Sequence, residues 1–282
     1  MQKARPFLLF MFFHFSTVFL FAGGWTQGKG NGYFKFGQTI IHGNQFYNGE
    51  GKVKQITTTG IYQTTIYAEF GFTNRMDAIF YSPIFSRITL NKIQFSSGAS
   101  QAGDEYNGIG DTDLGLKYAL LKDKKVALSA TLMLGLPFGN PSGGNTELLQ
   151  TGDGELNQLF LVEAGYPLSK HLYANVGLGI NHRTKGFSEE FRWNFELGYF
   201  QPQKYLIALK SFNVHSFKNG EPKGSAGNGI FSNNIEYMSI GPEISYWVKE
   251  NAGISFSYQG AFSGNFILAE PAYSFGVFLQ LK

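Results

Sequence analysis

Apolar and polar residues alternate with a period of two along most of this sequence. Between 112 and 120 the even positions are mostly apolar and include Leu114, Leu116 and Leu120, whereas the odd positions include Asp113 and Lys117. Successive side chains of a β-strand point to opposite faces, so the alternation predicts a strand with one apolar and one polar face. The same pattern returns in segments that begin near residues 126, 172, 191, 254 and 273. The chain is therefore predicted to be all-β.

Short and long connections between these segments alternate along the chain. The short connections fall at 73–75, 122–125, 169–170, 201–203 and 249–251. The longer ones are rich in Gly, Ser and Asn and fall near 42–55, 91–108, 139–154, 184–188, 218–229 and 263–270. Short turns on one side and longer loops on the other are typical of outer-membrane barrels. We predict a single transmembrane antiparallel up-and-down β-barrel of about twelve strands, with short periplasmic turns, longer extracellular loops and both termini on the periplasmic side.

A soluble secreted β-sandwich or a large soluble barrel would also contain alternating strands. The predicted strands are about 11 to 14 residues long, which exceeds the usual length in globular sheets and approaches that of a tilted membrane span. Only 15% of the residues are charged, against about 25% in a soluble domain. Aromatic residues gather beside the short turns, as at the interfaces of a membrane barrel; they are Phe70, Phe72, Tyr166, Tyr199, Phe200, Tyr246 and Trp247. These features favour the membrane barrel.

Two predicted strands depart from the alternation. Residues 76–89 are apolar on both faces and contain Pro83, which indicates a bulge or a face that a loop covers. Gly241-Pro242 is expected to shift the register between Ile235 and Tyr237 on one side and residues 244–248 on the other. The predicted count of about twelve strands therefore carries a margin of about two.

The first 24 residues are typical of a secretory signal peptide. Lys3 and Arg5 give a positive start, an apolar run follows from Phe7 to Ala22, and small residues end it. The alternative is a membrane anchor helix, but polar residues interrupt the run and it is shorter than the roughly 20 residues of a bilayer span. We predict export, a cut near Trp25, and two parts of the chain: a signal peptide at 1–24 and an outer-membrane barrel at 25–282.

Charged residues of both signs lie on the strand faces opposite the apolar ones. If the apolar faces meet lipid, these residues line the lumen, and they are Lys35, Glu69, Asp111, Asp113, Lys117, Glu163, Arg192, Glu196, Lys210 and Glu243. Twelve tilted strands would close to a backbone diameter of roughly 24 Å. The charges are read either as pairs that fix the barrel's shape or as a ladder that binds solute.

Signals for catalysis, metals and cofactors are weak. The chain has no Cys, and its histidines form neither a His-x-His nor a His-x-x-x-His pair. The acidic segments 111–113 and 151–155 lack the spacing of a Ca²⁺ loop, and 139–144 lacks the ending of a phosphate loop. His215 and Ser216 are adjacent, so a strand would point them to opposite faces. We predict no catalytic residue, no metal site and no cofactor. The net charge of +3 does not give the basic surface that nucleic-acid binding needs.

Three glycine-rich segments carry a family resemblance. They are Gly108–Tyr118, Leu136–Gly139 and Thr151–Gly154, and with them the sequence resembles the outer-membrane barrel family named for the meta-pathway of phenol degradation. The resemblance implies a single barrel that passes aromatic or other hydrophobic small molecules, and it supplies no catalytic residues. One departure is the ending Leu281-Lys282, where many outer-membrane barrels end in an aromatic residue that the assembly machinery reads.

These observations lead to a passive channel or transporter for small, aromatic or hydrophobic solutes in the bacterial outer membrane. The expected partners are outer-membrane lipid, the barrel assembly machinery and a small-molecule solute, and the oligomeric state stays open. One alternative is a closed structural or surface-binding barrel that acts through loops 91–108, 139–154 and 218–229. Another is a lipid-modifying barrel enzyme.

Overall fold

The computed structural model describes residues 23–94, 97–122, 124–221 and 231–282. The predicted signal segment up to residue 22 lies outside these residues, as do residues 222–229 of the predicted loop 218–229. Every regular element in the described ranges is a strand. The strands are β1 (Gly32–Tyr47), β2 (Val53–Gly71), β3 (Met76–Leu90), β4 (Ile93–Gln94), β5 (Ser100–Gln101), β6 (Asp104–Gly108), β7 (Thr112–Leu121), β8 (Ala127–Leu136), β9 (Asn157–Pro167), β10 (Leu172–Arg183), β11 (Glu190–Gln201), β12 (Tyr205–Ser216), β13 (Glu236–Lys249), β14 (Ala252–Asn265), β15 (Ile267–Leu268) and β16 (Ala272–Leu281).

The strands close into one antiparallel barrel. β1 pairs with β2 on one side and with β16 on the other, so Gly32 lies opposite both Phe70 and Leu281. Twelve strands form the wall, while β6 and β15 extend it at the loop end and β4 and β5 form a small separate hairpin. The predicted twelve-stranded up-and-down barrel is confirmed. Full closure leaves no wall strand with a free edge, which a lipid environment requires.

The two faces of the wall differ in polarity. On β7 the side chains of Leu114, Leu116 and Tyr118 are exposed, whereas Lys117 and Ala119 are buried. Exposed aliphatic and aromatic residues recur on the outer face of the other wall strands, for example at Val176, Leu178 and Ile180 of β10. A band of this size on a soluble protein would be an aggregation surface, whereas lipid covers it without penalty. The part of the chain described here holds no helix that is long and apolar enough to cross a membrane.

The short connections lie at one end and the longer ones at the other, as predicted. One loop is shorter than expected, because β1 continues to Tyr47 and β2 begins at Val53. The predicted loop 42–55 is therefore mostly a hairpin that extends beyond the wall, with a bulge between Gly43 and Gln45. Its sequence, rich in Gly and Asn, is like that of a loop, because the glycine at the bulge interrupts the alternation of apolar and polar residues.

The break at Pro83 agrees with the predicted bulge. The register of β2 against β3 shifts between Thr64 and Thr65, opposite Pro83. Beyond it β3 pairs with β6 rather than β7, and residues 109–111 leave the sheet. Gly110 donates its backbone N–H to the carbonyl oxygen of Pro83 at 2.8 Å, which satisfies an acceptor at the break.

A register shift is present between Tyr237 and residue 244, as expected, but it does not fall at Gly241-Pro242. The shift of β13 against β14 lies earlier, between Met238 and Ser239. Gly241 and Pro242 are not paired with β14, and the register is the same on either side of them. A Cβ at Gly241 would come within 1.7 Å of the carbonyl oxygen of Tyr258. Tyr237 therefore points to the inside of the barrel, where it lines a cavity, and not to the lipid face.

Candidate functional site in the barrel interior

An N-terminal segment, residues 23–31, enters the periplasmic end of the barrel. The backbone N–H of Gly24 donates to Oδ1 of Asn175 at 3.0 Å, and that of Gln27 donates to Oδ2 of Asp77 at 2.7 Å. Asn175 belongs to β10 and Asp77 to β3, so the segment crosses the opening rather than following one strand. The segment therefore forms part of the filling of this end of the lumen.

Trp25 anchors the N-terminal segment. Its ring meets the ring of Tyr173 edge to face, with centroids 5.9 Å apart. A Cβ on Gly165 would lie 2.3 Å from atoms of the Trp25 ring, so only glycine leaves room for the indole. Tyr173 in turn packs in a buried cluster whose other members are Phe200, Leu206, Ala208, Trp247 and Phe278. This cluster fills one side of the periplasmic end.

Two buried ion-pair groups lie on the inner face in the periplasmic half. Lys117 Nζ lies 2.6 Å from Glu69 Oε1, and both side chains are at most 3% exposed. Lys210 Nζ lies 3.1 Å from Glu243 Oε2 and 3.5 Å from Glu196 Oε2. The charges are paired because an unpaired buried charge costs several kcal/mol in desolvation.

Tyrosines complete the hydrogen bonding of these acids. Tyr67 donates to Glu69 Oε2 at 3.0 Å, and Tyr173 donates to Glu196. Glu163 is also buried. One acceptor of this region, Oδ1 of Asp77, has no hydrogen-bond partner among the described residues.

Arg183 is the centre of a third charged group, which lies in the extracellular half. Its guanidinium donates from Nε to Glu155 at 2.6 Å, from Nη1 to Glu190 at 2.8 Å and from Nη2 to Asp153 at 3.0 Å. Arg192 forms a fork to Glu190, with Nε and Nη2 at 2.9 and 2.7 Å from Oε2. The Arg183 side chain is 4% exposed, whereas that of Arg192 is 37% exposed.

The loop of residues 137–156 folds inward over this group. Asp111 accepts from the backbone N–H groups of Gly139 at 2.8 Å and Asp153 at 2.9 Å. Leu149 is 2% exposed and packs with Ile61, Ile88 and Leu268, which are inner residues of three strands. The loop is therefore part of the interior filling.

Asp104 ties the tip of the same loop to the barrel rim. It accepts from the backbone N–H and Oγ1 of Thr146 at 2.8 and 2.6 Å, and from the backbone N–H of Asn145 at 3.1 Å. Hydrogen bonds favour the charged form of Asp104 and lower its pKa to about 2, and those from Thr146 have the largest effect. The backbone at Gly144 has φ of 77°, and a Cβ there would lie 2.5 Å from Asp104.

Beneath the inward loop lies a cavity of about 420 Å³. Its lining combines aromatic rings, charged groups and apolar side chains. Tyr81 and Asp113 are direct neighbours across β3 and β7, and Asp113 lies opposite Gly135 of β8. A Cβ on Gly135 would lie 2.9 Å from Asn157 Cβ and 3.0 Å from Asp113 Oδ1, so the side chains of Asn157 and Asp113 occupy the space beside this glycine.

All ten residues predicted to line the lumen are buried or half-buried. They fall into two levels rather than one ladder. In the extracellular level are Asp111, Asp113 and Arg192, and in the periplasmic level are Lys35, Glu69, Lys117, Glu163, Glu196, Lys210 and Glu243. Their role as the lining of an open path stays a proposal.

Several interior residues were missed by sequence reasoning. Arg183 and Glu190 stand at strand ends, where the alternation gives way to a loop and no longer assigns a face. Asp77 lies within the stretch 76–89, which is apolar on both faces, so its face was not assigned. The signal that could have found Arg183 is its even separation from Asn175 and Asn181 along one strand.

The adjacent pair His215 and Ser216 is split between two faces. His215 is exposed, and its Nδ1 lies 3.1 Å from Glu236 Oε1. Ser216 is 2% exposed and donates to Asn234 Oδ1 at 3.1 Å. The two side chains therefore do not form a nucleophile and base in contact.

The barrel is closed, its outer band is apolar and its interior is polar. Its short turns lie at the same end as the start of β1 and the end of β16. Together these features define an outer-membrane β-barrel. The model of the family described as "Putative MetA-pathway of phenol degradation" matches residues 34–265, and the chain belongs to this family. No curated protein matches the sequence.

Solved structures that resemble the barrel include a channel and a porin. An outer membrane channel from Pseudomonas putida F1 is 13% identical, with 89% of this chain and 96% of that chain covered and a TM-score of 0.65. The NanC porin is 10% identical, with 86% and 98% covered and a TM-score of 0.52. At these identities the likeness shows the fold, and it agrees with the placement of the chain in the outer membrane.

Proposed function

We propose that this barrel is a passive channel or transporter for small, aromatic or hydrophobic solutes. The observation that carries the proposal is the interior cavity of about 420 Å³, in which aromatic rings stand beside charged groups. A volume of this size is within the range of small-molecule sites, about 300–1,000 Å³. The family description and the resemblance to a channel and a porin support the same function.

Planar-bilayer conductance tests the proposal. The protein is purified from outer membranes of an expression host, and a heat-modifiable gel shift first verifies that the barrel is folded. Stable current steps that phenolic solutes reduce are expected. A folded barrel that carries no current would contradict an open path.

The second candidate is a closed structural or surface-binding barrel. It is favoured by the filling at both ends, the N-terminal segment at one and the loop 137–156 at the other. Under this candidate the same conductance experiment gives a folded and silent protein.

Lipid and the barrel assembly machinery are the proposed partners of the outer face. The exposed apolar band suits lipid, and depletion of the assembly machinery is expected to remove the heat-modifiable form from the membrane fraction. The last aromatic, Phe278, is 3% exposed and points inward.

We also propose that the segment before Gly23 is a signal peptide. A cut after Ala22 would retain Gly23 and Gly24, whose backbone groups bond to Ser129 and Asn175. Mass spectrometry of the exported protein tests this boundary. A cut after Gly24 would remove both contacts.

No catalytic role is proposed for this barrel. Ser216→Ala and His215→Ala are expected to leave any lipid hydrolysis by the purified protein at the level of a detergent blank, because the two side chains do not meet. An activity above the blank that either substitution abolishes would revive the enzyme alternative.

A further inference from the structure

The charges that face the cavity beneath the loop 137–156 do not balance. Its lining contains four carboxylic acids and two arginines, which are Asp111, Asp113, Asp153, Glu190, Arg183 and Arg192. A fifth carboxylate, that of Glu155, lies 2.6 Å from Arg183 Nε. No lysine or histidine lines the cavity in the described part of the chain. Negative charge is therefore in excess in this part of the interior.

Both arginines already have carboxylate partners. The Arg183 side chain is 4% exposed, and it donates through three different nitrogens to three carboxylates, those of Asp153, Glu155 and Glu190. Arg192 donates twice to one oxygen of Glu190. The two guanidinium groups therefore offset the charge of these three acids first, and neither forms an ion pair with Asp111 or Asp113.

Asp113 is the carboxylate with the fewest partners. It makes no hydrogen bond and no ion pair within the described ranges, and it interacts electrostatically with Arg192 and Asp153, which have opposite signs. Asp113 is half-buried and lines the cavity. A carboxylate that is taken out of water loses hydration, and a cationic ligand replaces that stabilisation.

Asn181 gives the cavity a buried acceptor that no donor meets. Its side chain is fully buried and lines the cavity, and its Nδ2 donates to Asn157 Oδ1 at 2.7 Å and to Glu190 Oε2 at 3.0 Å. Its Oδ1 has no hydrogen-bond partner among the described residues. Because buried polar groups are nearly always hydrogen-bonded, an unmet acceptor at a cavity indicates a ligand that donates. A primary ammonium group has three donors and no acceptor.

Two tyrosine rings line the same cavity. Tyr81 is the direct cross-strand neighbour of Asp113, and Tyr237 is the second ring. The face of an aromatic ring attracts a cation, and the attraction is larger when the cation has lost its water. A ring beside a carboxylate therefore suits a positively charged group better than an uncharged or a negative one.

We propose that this cavity binds small organic ammonium ions, with Asp113 as the carboxylate that contacts the ammonium group. This inference rests on the proposed channel function and selects, among small solutes, those with a positive charge. An uncharged alcohol of the same shape leaves the excess of acid unbalanced, and a carboxylate adds to it. The volume of about 420 Å³ has room for a six-membered ring that carries one such group.

Fluorine NMR with three probes of one shape tests the preference for positive charge. The probes are 4,4-difluorocyclohexylamine, which is protonated at pH 7, 4,4-difluorocyclohexanol and 4,4-difluorocyclohexanecarboxylate, each added to the folded protein in a non-ionic detergent. We expect the ammonium probe to bind about tenfold more tightly than the alcohol, and the carboxylate to bind most weakly. Binding of the alcohol or the carboxylate as tight as that of the ammonium probe would overturn the proposal.

Two substitutions of opposite effect test the role of charge within the cavity. Asp113→Asn keeps the shape of the side chain and removes its charge, so ammonium binding is expected to weaken about tenfold. Arg192→Gln removes a positive charge from the same lining and is expected to tighten ammonium binding several-fold, which a disturbed fold would not do. A heat-modifiable gel shift first verifies that each variant is folded.

Glu50→Gln is the matched control. It also converts a carboxylate to an amide, but at an exposed position of the hairpin between β1 and β2, and it is expected to leave ammonium binding unchanged. Unchanged binding by Asp113→Asn, or weaker binding by a folded Arg192→Gln, would refute the assignment.

Conductance recorded on the same samples separates this inference from the proposed function. Current without Asp113-dependent ammonium binding refutes the site and leaves the channel. Ammonium binding that depends on Asp113 without current supports the site and refutes the open channel.

Discussion

Gly165 is the residue on which the docking of the N-terminal segment depends. The ring of Trp25 occupies the space that any larger residue at 165 would need. We expect Gly165→Val to expel Trp25 and release residues 23–31, so that proteolysis near Trp25 becomes faster and tryptophan emission moves to longer wavelength. Ala164→Val is the matched control, since position 164 lies on the same strand and alternates to the opposite face. Unchanged proteolysis of Gly165→Val would mean that the segment is held elsewhere.

Lys117 and Glu69 form a deeply buried ion pair of the interior. Lys117→Met alone leaves the Glu69 charge unpaired, and we expect a loss of about 3–5 kcal/mol in the free energy of unfolding. Replacement of both residues by Met and Gln removes the charge as well and is expected to cost clearly less. Urea unfolding in detergent, run as a double-mutant cycle, measures the difference. A single variant no less stable than the double would contradict the pairing.

At the scale of elements, the attachment of the loop 137–156 has a definite pH dependence. The pKa of Asp104 is depressed to about 2 in the folded protein, below its unfolded value of about 3.9. The contribution of Asp104 to the stability of the loop attachment is therefore complete above the unfolded pKa and is lost as pH falls through about 2. Pepsin, which is active in acid, should cut the loop tip slowly at pH 4 and faster near pH 2. Asp104→Asn is expected to be cut fast at both values. A pH-independent rate for the unaltered protein would refute this anchor.

Gly144 offers a second test of the same attachment. Its left-handed backbone and its closeness to Asp104 mean that Gly144→Ala brings both strain and a steric clash. The loop tip should then be cut by pepsin at pH 4 nearly as fast as in Asp104→Asn. Gly98→Ala serves as a control with the same backbone strain, because no atom lies within 4 Å of a Cβ there.

At the scale of the whole molecule, alternation and connection length were enough to predict the barrel, because both are local properties of the sequence. The filling of the barrel was not predictable in this way. Trp25 was interpreted as the neighbour of a cleavage site, and Leu149 was part of a polar loop, yet each is placed by partners far along the chain. The register shift expected at Gly241-Pro242 lies instead between Met238 and Ser239, because the extra residue is Phe262 on the partner strand β14, which the sequence of β13 does not reveal.

If the inward loop limits the path, its removal should change transport in a defined direction. Replacement of residues 141–148 by a short Gly-Ser turn removes the Asp104 anchor while keeping Gly139 and Asp153, which bond to Asp111. We expect a larger single-channel conductance and weaker block by phenolic solutes, because the cavity then opens to the extracellular side. A matched shortening of the hairpin tip at 48–52, which lies beyond the wall, should leave both unchanged. Equal conductance of the loop variant and the unaltered protein would move the narrowest point of the path to the periplasmic end, where Trp25 and the aromatic cluster lie.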